Sequence, residues 1–166
     1  MKLIVCDTGP ILHLTEANCL NLLKMAGKIY IPEMVDVEMK ILTDSWKKDR
    51  PEWIFVESLL PDERVKAVSL FREGVIDIGE AEAILLAKRL KPDWFLTDDT
   101  KARSIAESIN LEAHGSLGIV LWSAAVGHLN YIEAKVTLDN LSKTSLWISK
   151  NIMSQAKKAL EQIFQK

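Results

Sequence analysis

Leu3-Ile4-Val5-Cys6 is a short, unbroken apolar run that stops at Asp7. Such a run, with no polar alternation, suits a strand buried on both faces, the situation of a strand inside a parallel sheet with helices on either side. The pattern recurs in Lys28-Ile29-Tyr30-Ile31 and in Trp94-Phe95-Leu96-Thr97, which ends at Asp98-Asp99. Trp53-Ile54-Phe55-Val56 reads as a third strand or an irregular edge segment, and Leu111-Glu112-Ala113-His114 as a short last strand.

Helical periodicity fills the gaps. Pro10 suits a first helical turn, and the pattern through Leu12, Leu14, Leu20, Leu23 and Met25 breaks near Glu16-Ala17-Asn18 and stops at Gly27, which predicts two short helices with Cys19 in the second. Pro32 opens a helix carrying Val35, Glu38, Met39 and Leu42, while Thr43 to Pro51 reads as polar and lysine-rich. Helices are further expected from Asp62 to Phe71, from Gly79 to the breaker Lys91-Pro92-Asp93, around Ala102 to Ile109, from Gly115 to Gly127, and twice more before Lys166. Strands alternating with helices imply a doubly wound α/β fold with a mostly parallel sheet. We read residues 1–166 as one domain, with a core of about 1–129 and a helical C-terminal tail over 130–166.

At 166 residues and 48% hydrophobic, the chain can bury roughly two-thirds of its unfolded surface without a disulfide or structural metal. Its formal charge of -2 gives no global positive field for nucleic acid, although a local basic patch stays compatible with it. Asp7 interrupts the N-terminal apolar run before a signal peptide is complete, and Leu117 to Leu129 is too short to span a bilayer. A cytoplasmic protein with no membrane association and two buried, reduced cysteines, Cys6 and Cys19, is the expectation.

The acids that end strands carry the functional signal. In open parallel sheets ligands bind beyond the carboxyl ends of the strands, where Asp7 and the pair Asp98-Asp99 fall. Gathered carboxylates repel one another unless a divalent cation neutralises them, and Mg²⁺ or Mn²⁺ suits all-oxygen ligands. Each Asp taken singly also reads as a helix N-cap. Glu38 follows the inward face of its helix, one turn beyond Met34 and Val35. In Gly79-Glu80-Ala81-Glu82-Ala83 the two glutamates sit about 200° apart on a helix, so they cannot point equally well at one site. Glu80 aligns with Ala83, Ile84 and Ala87, Glu82 with Leu85 and Leu86, and both faces are apolar.

These segments together resemble the PIN-domain nucleases, in particular a group of small prokaryotic PIN proteins with predicted nucleic-acid binding. The resemblance rests on Val5-Cys6-Asp7-Thr8-Gly9-Pro10, on Ile31-Pro32 followed by Val37-Glu38-Met39, on Gly79-Glu80-Ala81-Glu82-Ala83-Ile84, and on Leu96-Thr97-Asp98-Asp99 followed by Ala102-Arg103. Gly115-Ser116-Leu117-Gly118 and Gly127-His128-Leu129 extend it, so it covers most of the chain through about Gly127. It implies a three-layer α/β/α fold and Mg²⁺- or Mn²⁺-dependent hydrolysis of phosphodiesters, usually in RNA. Matched by position, Asp7, Glu38, Glu82 and Asp99 resemble the catalytic acids and metal ligands, with Asp98 a further ligand and Thr8 and Glu80 supporting. Pairing Glu80 with Asp98 instead matches the family's usual separation slightly better. A homodimer, and a toxin role with an antitoxin protein as partner, are further expectations of the resemblance.

Other features read more plainly. His13, His114 and His128 lack zinc-like spacing and are expected to be satisfied or at the surface. Lys40, Lys47, Lys48 and Arg50, with Trp46 and Trp53, form either a basic and aromatic platform for a single strand or a solvated loop whose tryptophans pack on the body. Arg103 reads as a phosphate contact or as an ion-pair partner of the acids. The apolar spacing from Leu141 to Phe164 suits core or dimer interface. A haloacid-dehalogenase-type phosphatase would need a second Asp where Gly9 stands, and a receiver domain's acidic pair and late lysine are missing. The remaining rival is a catalytically silent PIN-like module that binds RNA or protein.

Overall fold

A computed structural model describes residues 1–166. Five strands form one sheet, β1 (Lys2–Cys6), β2 (Gly27–Pro32), β3 (Ile54–Glu57), β4 (Trp94–Leu96) and β5 (Ala113–His114), in the order β3-β2-β1-β4-β5. Every pairing is parallel, so the sheet is wholly rather than mostly so. Trp53-Ile54-Phe55-Val56 resolves into the edge strand β3, whose Ile54 pairs with Ile29.

The period of two along a strand divides the core between two layers. Ile4 and Cys6 of β1, with Trp94 and Leu96 of β4, belong to one apolar cluster, and Val5 and Phe95 to the other. The first cluster is covered by α1 (Thr8–Glu16), α2 (Asn21–Ala26), α3 (Glu33–Leu42), α4 (Asp44–Lys48), α8 (Ser116–Ala125), α9 (Tyr131–Leu141) and α10 (Lys150–Phe164). The second is covered by α5 (Pro61–Arg72), α6 (Ile78–Leu90) and α7 (Thr100–Ser108). This is the three-layer α/β/α arrangement. No helix is long and apolar enough to cross a membrane.

Several local readings are adjusted. Cys19 lies in the connection between α1 and α2 and is only half-buried, though both thiols are free. The polar stretch after Thr43 contains the short helix α4, because the Thr43 side chain caps it and Trp46 anchors it in the core. Trp46 donates through Nε1 to Asp36 Oδ1 at 2.9 Å, and Lys40 and Arg50 pair with the same carboxylate at 2.8 and 3.2 Å. Trp46 thus ties α4 to α3 and Arg50 ties the segment after α4 to it, while Lys40 pairs within α3, so these three do not form a free platform. The C-terminal tail is integrated with the core, since Ala156 and Leu160 of α10 are buried in the first cluster.

Candidate active site

The sheet order creates the site. From the central strand β1 the chain moves to β2 on one side, and β4 and β5 lie on the other, so connections diverge at the carboxyl ends of β1 and β4. A crevice opens at such a switch point. Asp7 follows β1 and its backbone N–H donates to Leu96 O at 2.9 Å, which locks it beside the end of β4, where Thr97, Asp98 and Asp99 follow.

The carboxylates of Asp7, Glu38, Asp77, Glu80, Asp98 and Asp99 line a cavity of about 470 Å³ here, with His13 and no lysine or arginine. Local hydrogen-bond chemistry holds the acids in place. Asp7 caps α1, accepting from the Thr8 N–H at 2.6 Å, and its other oxygen accepts from Thr97 Oγ1 at 3.0 Å. Thr97 Oγ1 in turn accepts from the Asp99 N–H, and Asp99 caps α7 through the Ala102 N–H at 2.8 Å. Asp77 and Glu80 form a reciprocal capping box at the start of α6, with bonds of 2.8 and 3.0 Å. Glu38 of α3 accepts from the Thr8 hydroxyl and packs against Gly79, where an added Cβ would lie 2.5 Å from its carboxylate oxygens. Gly79 is thus the residue that lets α6 approach α3.

The electrostatics follow from burial and like charge. Asp7, 4% exposed, has its carboxyl pushed well above the usual range, first by burial and then by the charge of Glu80, with the Thr8 N–H and Thr97 hydroxyl pulling the other way. Glu80 is pushed up to about 7, by burial first and then by Asp77, Asp99 and Glu38. Glu38 is also raised, mainly by burial. These acids hold protons more tightly than free carboxyls do, because burial strips water from their charged forms and neighbouring carboxylates add like charge.

Glu82 does not line the cavity. Half-turned away on α6, it has the Met34 backbone, Arg64 and Glu33 as neighbours, and burial raises its carboxyl. Asp98 lines the cavity but is fully engaged: Oδ1 accepts from the Ser116 N–H at 2.7 Å, and Oδ2 pairs with Ser116 Oγ and His13 Nδ1, both at 2.6 Å. His13 is accordingly a satisfied histidine. Asp77, Glu80 and Asp99 each keep one oxygen without a protein partner, whereas Glu38 lies between the Thr8 hydroxyl and the Gly79 backbone. Asp77 and the cavity wall formed by Ser145, Leu146 and Trp147 went unmarked as site residues in the sequence. The spacing Asp77-Ile78-Gly79-Glu80 is a capping-box signature that points to Asp77, whereas no local signal points to the wall.

No three or more His, Cys, Asp or Glu side chains are arranged to hold a metal ion in this structure. The chemistry of the donors nevertheless fits a hard divalent cation: all-oxygen, with unpartnered carboxylate oxygens on Asp77, Glu80 and Asp99 around one cavity and no lysine or arginine in its lining. A parallel α/β protein with an acid-lined switch-point cavity is the class that the fold and site define. A family profile described as a PIN domain, DUF3368, matches residues 3–162, and the chain belongs to that family. No match was found among the curated proteins or among the solved structures.

Proposed function

We propose that the protein is a metal-dependent ribonuclease that hydrolyses phosphodiesters of RNA. The observation that carries this reading is the cavity lined by six carboxylates without a lysine or arginine, in a chain of the PIN-domain family. Asp7, Glu38, Glu80 and Asp99 would hold Mg²⁺ or Mn²⁺; Glu80 takes the role for which Glu82 was matched by position, because Glu80 is the one that lines the cavity. When bound, such a cation polarises a phosphate oxygen and lowers the pKa of a water.

The chain's own residues prepare the site. Thr97 and the Thr8 N–H orient Asp7, the Thr8 hydroxyl orients Glu38, and the α6 capping box fixes one oxygen of Glu80 while leaving Oε1 free. Asp98, held by hydrogen bonds from His13 and Ser116, tethers α8 to the end of β4 and supports the cavity floor. Glu80, pushed up to about 7 by burial first and then by neighbouring acids, would have to give up its proton to hold the cation.

We also infer, from the resemblance of the sequence motifs alone, a cytoplasmic toxin held by an antitoxin protein, and pairing with a second copy. Ile132 and Val136, one helical turn apart on α9 and 72% and 52% exposed, offer an apolar stripe for either protein partner. The test of the main reading is cleavage of a mixed-sequence single-stranded RNA by wild type and Asp7→Asn with Mn²⁺, Mg²⁺ or EDTA. Cutting that needs the metal and is lost in the variant is the expected result. Unchanged cutting in Asp7→Asn sinks the assignment, and a failure to cut under every condition favours the silent binding module.

A further inference from the structure

A second cavity of about 600 Å³ adjoins the acidic one and shares with it Asp98, Asp99, Leu146 and Trp147. Its character is different, because it is lined by Arg103 and His114 as well as by apolar side chains of the segment leading into α10. Trp147 stands where the two cavities meet and is 84% exposed. Nothing in the packing of the protein accounts for a bare indole there.

Its presentation is fixed by its neighbours in the chain. Ser145 donates through its backbone N–H, at 3.1 Å, and through its hydroxyl to the Glu16 carboxylate at the end of α1. Ile148 packs against the first core cluster. Anchored on both sides, the indole points outward from a tethered segment.

Arg103 is the second half of the arrangement. It lies one turn into α7, half-buried, and forms no ion pair with any of the acids. Its guanidinium instead rests over Gly115, where an added Cβ would come within 2.9 Å of Nη2. A guanidinium left unpaired beside a cluster of carboxylates, at the wall of an open cavity, is set up for an oxyanion from outside the protein.

We propose that Trp147 and Arg103 form a single-strand subsite beside the acidic cavity: the indole stacks an unpaired base and the guanidinium holds a backbone phosphate next to the scissile one. The inference rests on the nuclease reading for where the scissile phosphate lies. It restricts the substrate to single-stranded RNA or an unpaired segment, because a base held in a duplex cannot present its face to the indole. The flanking aromatic surface and phosphate contact supply the affinity that the protein's net charge of -2 does not.

The test is fluorescence anisotropy of a short fluorescein-labelled oligoadenylate, alone and annealed to oligouridylate, with Ca²⁺ present and strand integrity checked on a gel. Wild type is expected to bind the single strand in preference to the duplex. Trp147→Ala should weaken single-strand binding roughly 5- to 100-fold, and Trp147→Phe should retain most of it. Arg103→Ala should lower the slope of log affinity against log salt by about 0.7, which Arg103→Lys preserves and Trp147→Ala leaves unchanged.

Circular dichroism of each variant separates lost binding from lost fold. Equal binding of the duplex, no single-strand binding by wild type, or unaltered affinity in folded Trp147→Ala overturns the proposal. So does a Trp147→Ala variant that changes only the oligomeric state, since the indole then serves a protein contact. Binding that depends on Trp147 and Arg103 without cleavage under any metal keeps the subsite and removes the nuclease. Metal-dependent cleavage with binding indifferent to both residues does the reverse.

Discussion

Replacing Glu80 by glutamine, with Glu82→Gln as its counterpart, separates the two glutamates of α6 by their energetics. Glutamine keeps the capping box with Asp77, because an amide serves at that helix position as well as a carboxylate. It removes one negative charge from the cavity. Glu80 is raised from 4.5 to about 7 by burial and then by Asp77, Asp99 and Glu38. Its folded-state value lies above its unfolded one, so its contribution to stability is complete below about 4.5 and is lost as pH rises to about 7.

The full shift corresponds to roughly 3 kcal/mol, and the partial exposure of Glu80 reduces this by screening to about 1 kcal/mol. Metal-free Glu80→Gln should therefore unfold about 2–4 °C higher than wild type at pH 8, with the difference vanishing at pH 4. Adding Mn²⁺ at a hundredfold excess over its dissociation constant should stabilise wild type by about 2.7 kcal/mol. Glu80→Gln should lose most of that response, and Glu82→Gln, beside Met34 and Arg64, should keep it. Differential scanning fluorimetry with EDTA or Mn²⁺ at both pH values measures all of this. A metal-free Glu80→Gln no more stable than wild type at pH 8 would refute the like-charge argument. A Mn²⁺ response lost in Glu82→Gln and kept in Glu80→Gln would move the ligand to Glu82.

Other perturbations test the scaffold around the acids. Thr97→Val removes the hydroxyl that donates to buried Asp7 and should cost about 1–3 kcal/mol in urea unfolding, more at pH 8 than at pH 4 as the carboxylate loses its donor. Equal costs at both pH values would show that Asp7 stays protonated throughout. Leu160→Ala, at a site only 1% exposed on α10, should cost about 2–5 kcal/mol, and a loss below 1 kcal/mol would mean that the tail is not part of the core. Glu16→Ala should speed proteolytic cutting between Leu141 and Lys150 without lowering the melting temperature, because it removes the acceptor of both Ser145 bonds and frees a surface segment. Unaltered cutting would mean that the Glu16 bond is not what holds the segment.

The strands were legible because buried runs such as Leu3 to Cys6 announce themselves, and Asp7 and Asp98-Asp99 were legible because they end such runs. The choice between Glu80 and Glu82 was not. Helix α6 is buried on more than one side, with Ala83, Ile84, Leu85, Leu86 and Ala87 all in the core, so the apolar wheel carries no direction. What turns Glu80 into the cavity is the capping box at Asp77 and the approach of Glu38 to Gly79, which joins helices distant in sequence. Asp98 and Asp99 are likewise equivalent on paper and differ through partners elsewhere, His13 and Ser116 for one and the α7 N-terminus for the other. The role of Trp46 was hidden for a similar reason, since its partner Asp36 faces it only once α4 folds back on α3.

The bond between Ser145 and Glu16 joins residues 129 apart, and the wall it secures closes the acidic cavity beside Trp147. During synthesis from the N-terminus, the strand that bears Asp7 and the strand that leads to Asp99 emerge well before residues 145–147 do. The acids are nevertheless gathered only when the domain folds as a unit, because α9 and α10 on either side of that wall complete the first core cluster. A nascent chain that stops short of the wall therefore carries the acids in its sequence but not yet the cavity, so the carboxylates and the surface beside them are completed together.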